Sequence, residues 1–282
     1  MPSSTTIRAI YRCLLRDARA LQRTPHFNVR RELQLEQWGT GSFVEPLSEQ
    51  QREELQTQTQ TQGSRVLTSL EQFYQLRDNA FRMASPRVDV TESIRAGFRE
   101  SMQLSDPKVV SAKLDEAIEA LSELSTQLLL AQCSSVTVTN GVRIEATSHY
   151  VEGHSNPTSN TYRFTYRVTI TNQNEECSVQ ILGRQYTFES EKGQRIALAR
   201  NSPGIVGATP LLAPGQTFEY ASGVDIDAPR GSVTGCLHAV RKAKRPEDGD
   251  DGDLFDALVS KFALLAPHTP SKSAAKVRAA TN

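Results

Sequence analysis

The sequence contains no long apolar run, and this absence limits the class of protein it can encode. No stretch approaches the roughly 20 consecutive apolar residues that a transmembrane helix needs, so we expect no membrane span. The first predicted helix is interrupted by arginines, so we do not expect a secretory signal either. The 32 Lys and Arg residues balance the 32 Asp and Glu residues. This zero net charge disfavours a general nucleic-acid binder, which is usually basic overall.

Cysteine is scarce, and its spacing is irregular. The four cysteines form no CxxC pair and no Cys/His cluster; they are Cys13, Cys133, Cys177 and Cys236. This pattern indicates free thiols in a reducing compartment, and neither a disulfide framework nor a zinc site. His238 follows Cys236 by two residues. On a strand, two side chains with this spacing share one face, and such a pair is more often half-buried and structural than catalytic. No nucleophile motif is present either, so we expect no catalytic residue and no metal site.

Arginine is concentrated near the start of the chain, in the stretch TTIRAIYRCLLRDARALQR (5–23). On a helix, five arginines fall in one sector, well separated from the apolar residues. We call this set the arginine face; it comprises Arg8, Arg12, Arg16, Arg19 and Arg23. Like charges four residues apart repel by roughly 0.2–0.5 kcal/mol per pair. Three interpretations are open: a solvated helix face, a mitochondrial targeting segment, or a docking surface for an acidic partner.

Helical periodicity continues after a polar interruption. Residues 24–63 break the first pattern, and the Gln/Thr alternation at 56–62 predicts a flexible insertion. An apolar stripe typical of a helix returns at 64–84. The polar insertion as a whole spans about residues 24–85. Thr91 can cap a further helix, and Pro107 can open a long final one after an N-cap at Ser105 or Asp106. We therefore predict a small antiparallel helical bundle over residues 1–133.

The hydrophobic period changes near residue 134, from helical spacing to alternation. Asn140-Gly141 is the strongest hairpin signal in the chain, and further short alternating segments follow at intervals of about ten residues. This pattern predicts an antiparallel β-sandwich over residues 134–267. Periodicity alone leaves the segment LFDALVSKFALLAP (254–267) open between helix and strand. Residues 268–282 are predicted to be a disordered tail.

The helical half resembles the LYR family. In IYRCLLRDAR, Tyr11 and Arg12 match the family signature, and Ile10 takes the leucine position. SIRAGFRESMQLSDPKVVSAKLDEAIEALSEL resembles the second half of that family, in which a Phe-Arg pair precedes an Asp-Pro turn and a long helix; Phe98 matches the family phenylalanine. The insertion departs from the pattern. The resemblance implies a three-helix LYR-like bundle in a mitochondrial matrix protein that binds the mitochondrial acyl carrier protein.

In that family the acylated phosphopantetheine arm enters the bundle, and basic residues meet the acidic surface of the carrier. The resemblance therefore implies that the arginine face and Tyr11 bind the carrier. It also implies an acyl-chain channel lined by Ile10, Tyr11, Leu14 and Phe98, where each buried methylene would contribute about 0.8 kcal/mol. Plain core packing is the alternative for Tyr11 and Phe98. No cofactor is expected to bind directly, because the partner supplies the acyl-4′-phosphopantetheine.

The second half resembles the ApaG domain, over about residues 134–267. The matching stretches are RFTYRVTITNQNEECSVQILGRQYTF and SPGIVGATPLLAPGQTFEYASGVDIDAPRGSVTGCL. The resemblance implies an all-β sandwich of immunoglobulin or fibronectin-III type that serves as an interaction module. It also makes LFDALVSKFALLAP the closing strand.

The glycine-rich loop of the ApaG family is altered in this chain. Ser202 stands at the position of the first glycine, and Pro203 follows it. Nucleotide binding requires backbone amides at a helix N-terminus. A loop between strands that contains a proline does not provide them, so we expect no nucleotide site. The remaining signature residues are predicted to be structural; they are Gly204, Gly207, Pro210, Pro214 and Gly215.

These observations predict a multidomain α + β protein without enzymatic activity. We expect an adaptor that binds the mitochondrial acyl carrier protein through its helices and docks on a large assembly. The mitochondrial ribosome or its assembly intermediates is the favoured assembly, by analogy with other LYR-like proteins. A role as an accessory or assembly factor of a respiratory-chain complex is the alternative, and an unrecognised enzyme is the second. No small-molecule substrate is expected.

Overall fold

A computed structural model describes residues 3–24, 38–44, 50, 90–200, 204–242 and 252–267. Within these ranges the helices are α1 (Ser4–Gln22), α2 (Val90–Ser101) and α3 (Pro107–Gln132). The strands are β1 (Gly41–Phe43), β2 (Ser134–Thr139), β3 (Val142–Tyr150), β4 (Tyr162–Asn172), β5 (Ser178–Ser190), β6 (Arg195–Leu198), β7 (Leu211–Leu212), β8 (Thr217–Ile226), β9 (Arg230–Lys242) and β10 (Asp253–Leu265). Two short 3₁₀ turns, Glu152–His154 and Pro157–Ser159, separate β3 from β4.

The helices begin where capping chemistry allows. Ser3 caps α1 by accepting a hydrogen bond from the Thr6 amide at 3.1 Å, and Asp106 caps α3 by accepting one from the Lys108 amide at 2.9 Å. Pro107 occupies the first position of α3, as the sequence predicts. Helix α1 packs against both α2 and α3. Their shared core buries Leu14, Leu15, Ala18, Leu21, Val90, Ile94, Ala120, Leu124 and Ala131.

The strands form two antiparallel sheets that face each other across a second hydrophobic core. One sheet has the strand order β1-β8-β4-β3-β2; the other has the order β10-β9-β5-β6, with β7 paired to β5. The predicted hairpin joins β2 to β3, and its turn residues Asn140 and Gly141 have φ values of 49° and 75°. A two-residue type I′ turn requires a positive φ at both of its central residues. The predicted β-sandwich and the closing strand β10 are both confirmed.

Strand β2 is an edge of the first sheet, and side chains connect it to the edge of the second. The Thr139 hydroxyl accepts a hydrogen bond from the Leu258 amide at 3.1 Å, and the Thr137 hydroxyl accepts one from the Ser260 amide at 3.1 Å. These bonds satisfy amides on the free side of β10. The two sheets are therefore joined along this side by hydrogen bonds as well as by apolar packing.

Strand β1 departs from the predicted organisation, because it lies inside the insertion that was assigned to the helical half. Residues Gly41–Phe43 pair antiparallel with β8 and extend the first sheet. The Phe43 ring meets Phe218 edge-on at a centroid distance of 5.3 Å. One strand of the sandwich therefore comes from residues 24–85. The predicted domain boundary near residue 133 does not hold for this strand, which precedes the boundary in sequence but belongs to the sandwich.

The junction between α3 and β2 is a single residue. Cys133 is buried, its amide bonds back to α3, and its carbonyl accepts a hydrogen bond from the Ser148 amide of β3 at 3.1 Å. The Ser134 hydroxyl donates to the Leu130 carbonyl at 2.6 Å. The C-terminal end of α3 also contacts β3 and β10. The helical part and the sandwich therefore meet through a packed, hydrogen-bonded joint.

None of the described helices is long and apolar enough to cross a membrane. Several sequence predictions lie outside the described residues. They are the helix at 64–84, the tail at 268–282, and the altered loop positions Ser202 and Pro203.

Candidate functional site

The arginine face is present on α1 as a continuous exposed surface. All five of its side chains are exposed, on the side of the helix away from Leu14, Ala18 and Leu21. Ser3 caps the helix, and its first turn contains no acidic residue. The structure therefore places the predicted cations on one accessible side of the helical core.

One member of the arginine face is neutralised within α1. The Arg16 Nε donates to Asp17 Oδ1 at 2.7 Å, and the Asp17 side chain is only 8% exposed. The hydrogen bond and charge of Asp17 raise the pKa of Arg16 above its ordinary value. Within the part of the chain that the structure describes, the other four arginines form no ion pair with a carboxylate.

The four residues assigned to an acyl-chain channel belong to one cluster. Leu14 is buried, and Ile10, Tyr11 and Phe98 are half-buried around the same helical core. The Tyr11 and Phe98 rings, from α1 and α2, lie 4.7 Å apart between centroids. The structure thus brings together the two aromatic residues that carry the LYR resemblance. Their half-buried position places them next to the surface of the helical core.

The described part of the glycine-rich loop, residues 204–210, lies between strands β6 and β7, as predicted. Gly204 and Gly207 have φ values of +69° and +81°, and a Cβ at Gly204 would lie 2.6 Å from the Ala208 carbonyl oxygen. Ile205 and Ala208 pair as an isolated bridge. The Pro210 carbonyl accepts a hydrogen bond from the Ile181 amide at 2.9 Å. These contacts give the signature residues a structural role in the turn.

Pro214 and Gly215 belong to the turn that leads into β8. Gly215 has a φ of +70°, and its amide donates to the Asn172 carbonyl at 2.7 Å. This backbone contact ties the turn to the end of β4. Gly215 therefore also acts through backbone conformation.

A polar cluster that the sequence pattern does not predict lies on the outer face of the second sheet. Cys236 and His238 face outward from β9, and Asp256 is the cross-strand partner of His238 on β10. The Sγ, one ring nitrogen and a carboxylate oxygen of these residues all lie within 4.8 Å of one another. We call Cys236, His238 and Asp256 the outer-face cluster.

Hydrogen bonds hold the outer-face cluster in place. The His238 Nδ1 lies 2.6 Å from Asp256 Oδ1, and the Arg200 guanidinium lies 3.2 Å from the same oxygen. Among the described residues, His238 Nε2 is buried and has no hydrogen-bond partner. Burial, followed by the negative charge of Asp256, raises the pKa of the Cys236 thiol. The cluster therefore holds a protonated thiol, and this does not suit a thiolate nucleophile.

The outer-face cluster is not visible as a sequence motif, because one of its members is far from the other two in the sequence. The half-buried strand pair predicted for Cys236 and His238 is confirmed. Asp256 lies 18 positions beyond His238 and reaches it only through the antiparallel register of β9 and β10. Only a prediction of that register would have identified the cluster.

Comparison with known proteins defines the class of the C-terminal half. The family model described as the ApaG domain matches residues 152–241. The chain is similar to Protein ApaG of Sinorhizobium fredii, with 32% identity over 130 residues, covering 46% of this chain and 92% of the relative. Protein ApaG of Mesorhizobium japonicum is 34% identical over 132 residues, covering 47% of this chain and 93% of the relative. The sandwich is an ApaG domain.

The chain accordingly belongs to the ApaG family. A solved structure, the putative ApaA protein from Bordetella pertussis, is 30% identical and covers 49% of this chain and 98% of that one, with a TM-score of 0.40. The family model includes none of the three described helices. The ApaG resemblance stated for the sequence is confirmed.

Proposed function

We propose that this protein is a non-enzymatic mitochondrial adaptor whose helices bind the acylated mitochondrial acyl carrier protein. The observation that carries the proposal is the arginine face. Arg8, Arg12, Arg19 and Arg23 are exposed on one helix and lack carboxylate partners within the described ranges. A carrier rich in acidic residues would supply the compensating charge. The LYR-like sequence around Tyr11 supports the same partner.

The helical core supports the second half of the proposal, which concerns the acyl chain. Tyr11 and Phe98 lie in contact at a half-buried position between α1 and α2. Movement of these two rings would open a route from the surface to Leu14 and the apolar core. An acyl chain entering there would gain about 0.8 kcal/mol for each methylene removed from water. The arm would be supplied by the carrier, so the adaptor would need no cofactor of its own.

The sandwich is the part that we propose to dock on a larger assembly. ApaG domains of this size form the greater part of the bacterial relatives, whereas this chain adds a helical part to the same sandwich. Two units with separate cores suit a protein that bridges two partners. We propose the mitochondrial ribosome or its assembly intermediates as the assembly, with a respiratory-chain complex as the alternative.

The arginine face can be tested by charge reversal. We expect R12E/R19E, two unpaired positions on α1, to abolish binding of purified acyl carrier protein and to leave the far-UV circular dichroism unchanged. K242E/K261E, on the sandwich, is the matched control with the same charge change and should bind as wild type does. Binding of the wild-type protein should weaken as salt rises. Equal binding by R12E/R19E and wild type would contradict the proposal.

The acyl chain is tested separately by comparing carriers. A carrier with a long acyl group should raise the melting temperature of the full chain more than a carrier with a bare arm, by mass-action linkage to the native state. If the two carriers act alike while R12E/R19E still fails to bind, the contact is limited to the surface. A pull-down from mitochondria, scored for ribosomal against respiratory proteins, then distinguishes the two assemblies.

A further inference from the structure

We propose that Cys236, His238 and Asp256 bind one divalent transition metal of the zinc class on the outer face of the sandwich. The three side chains offer a thiolate, an imidazole nitrogen and a carboxylate oxygen, which are the ligand types that zinc takes in proteins. Nothing in this proposal depends on carrier binding by the helices. The fourth coordination position would be open to water or to a group from a partner.

The backbone already places the three ligands on rigid elements. Strand β9 lies between β5 and β10, so hydrogen bonds hold it on both sides. Cys236 and His238 are two residues apart and point the same way, and Asp256 is directly opposite His238. Their positions are therefore set by sheet register and not by a loop.

The three ligand atoms are close enough to bind a single ion after small movements of their side chains. They lie within 4.8 Å of one another, whereas Zn–S and Zn–N bonds of about 2.3 and 2.0 Å put neighbouring tetrahedral ligands about 3.5 Å apart. The more distant ligand atoms therefore need to approach by little more than an ångström, while His238 Nδ1 and Asp256 Oδ1, which are 2.6 Å apart, need to separate slightly. The Cys236 and Asp256 side chains are only partly buried and can make this movement.

The position of His238 is consistent with an ion in the outer-face cluster. Its Nδ1 lies 2.6 Å from Asp256 Oδ1, so this nitrogen and the carboxylate oxygen already face a common point. When a metal binds Nδ1, the neutral ring carries its proton on Nε2. The Cys236 thiol must become a thiolate to bind the metal, so it releases one proton to solvent for each ion bound.

Arg200 is the group that opposes an ion in this site. Its guanidinium lies 3.2 Å from Asp256 Oδ1 and is 62% exposed, so it can move into solvent when a cation arrives. Its charge would compete with the metal for the carboxylate. Removal of Arg200 should therefore strengthen metal binding. This effect is not expected if the contact between Cys236, His238 and Asp256 is only structural.

The test is titration of the full-length protein with Co²⁺, followed by displacement with Zn²⁺. We expect one equivalent of Co²⁺ to give a thiolate-to-cobalt charge-transfer band in the near ultraviolet. C236S should abolish this band, and C177S, which removes another half-buried thiol, should retain it. D256N should weaken binding by about tenfold or more, and R200A should tighten it by roughly fivefold.

The contrary outcomes are equally specific. Absence of the band in the wild-type protein, or a band that persists in C236S, would overturn the site. Unchanged affinity in both D256N and R200A would remove Asp256 from the ligand set and overturn the proposal in its stated form. H238Q provides a second ligand variant in case C236S fails to fold, and it should also lose the band. Far-UV circular dichroism of each variant checks that the sandwich is retained.

Discussion

At the scale of single residues, Asn172 shows how a buried polar side chain with all of its hydrogen bonds made stabilises the fold. Asn172, at the end of β4, is completely buried. Its Nδ2 donates to the Cys177 carbonyl at 2.8 Å and the Leu212 carbonyl at 3.0 Å. Its Oδ1 accepts from the Asn174 amide at 3.1 Å. One side chain thus ties together the β4–β5 turn and β7.

Asn172→Leu is therefore expected to lower the free energy of unfolding by about 2–3 kcal/mol, because it removes the Asn172 donor from one buried and one partly buried carbonyl. Urea denaturation followed by intrinsic fluorescence measures the change. Gln185→Leu, at an exposed position of β5, is the control and should change the unfolding free energy by less than about 0.5 kcal/mol. A similar small change for Asn172→Leu would show that the network does not limit stability.

Two tyrosines of the sandwich core predict a response to alkaline pH. Tyr186 and Tyr220 are fully buried and hydrogen-bond to each other through their hydroxyls, with Arg184 over the Tyr220 ring. Burial raises the pKa of both phenols above their ordinary value. Above pH of about 10, the unfolded chain loses these protons while the folded chain keeps them. The free energy of unfolding must then fall as pH rises.

We expect each of these tyrosines to contribute about 1 kcal/mol per pH unit to the slope between about pH 10 and 11, where the unfolded phenol is only partly ionised. Tyr220→Phe should reduce the slope by about one such contribution. The same comparison at pH 7 isolates the cost of the lost hydroxyl, which does not depend on pH. Equal slopes for the variant and the wild type would show that Tyr220 is not held protonated by the fold.

At the scale of elements, β1 shows how packing recruits a short segment into the sheet. The Gly39 amide donates to the Ala221 carbonyl at 3.0 Å, and the Ala221 amide donates to the Thr40 carbonyl at 3.1 Å. Gly41 lies against Phe218, whose Cζ would be 2.6 Å from an added Cβ. Only glycine permits this approach without a shift of the Phe218 ring.

Gly41→Val should therefore detach β1 from β8. Amide exchange at Ala221 should accelerate by about tenfold or more, because local opening then exposes that amide. Ser42→Val is the control, because Ser42 is exposed and its side chain points to the other face of the sheet. Hydrogen exchange read by mass spectrometry measures both variants. Unchanged protection in Gly41→Val would show that the strand adapts to the added side chain.

The scale of elements also shows what could be predicted from the sequence. Secondary structure was predicted correctly where the hydrophobic period is long and clear. Examples are α3 with its Asp106 cap and the hairpin at Asn140 and Gly141. Strand β1 has only three residues, too few for any period to be visible. The outer-face cluster needs the register of β9 and β10, which includes an irregularity between Val259 and Phe262. Such pairing is set by the folded sheet and not by local sequence.

At the scale of the whole molecule, two hydrophobic cores meet at one buried residue. The helical core and the sandwich core share no member, and Cys133 lies between them. Insertion of Gly-Ser-Gly-Ser after Gln132 should leave both cores folded and let them reorient. Distances between spin labels on α1 and β10 should then spread over a broader distribution than in the uninserted chain. A distribution of the same width would show that other contacts hold the two parts together.

The direct joint at Cys133 turns α3 into a stiff arm. Its 26 residues span about 39 Å at 1.5 Å per residue. In the bridging role proposed above, a partner held by the helical part and one held by the sandwich would be kept at a set distance, without the length fluctuations of a flexible linker. Two weak attachments reinforce each other through effective concentration only when both can be engaged at once. The molecule would thus select an assembly by the separation of its two attachment points as well as by their chemistry.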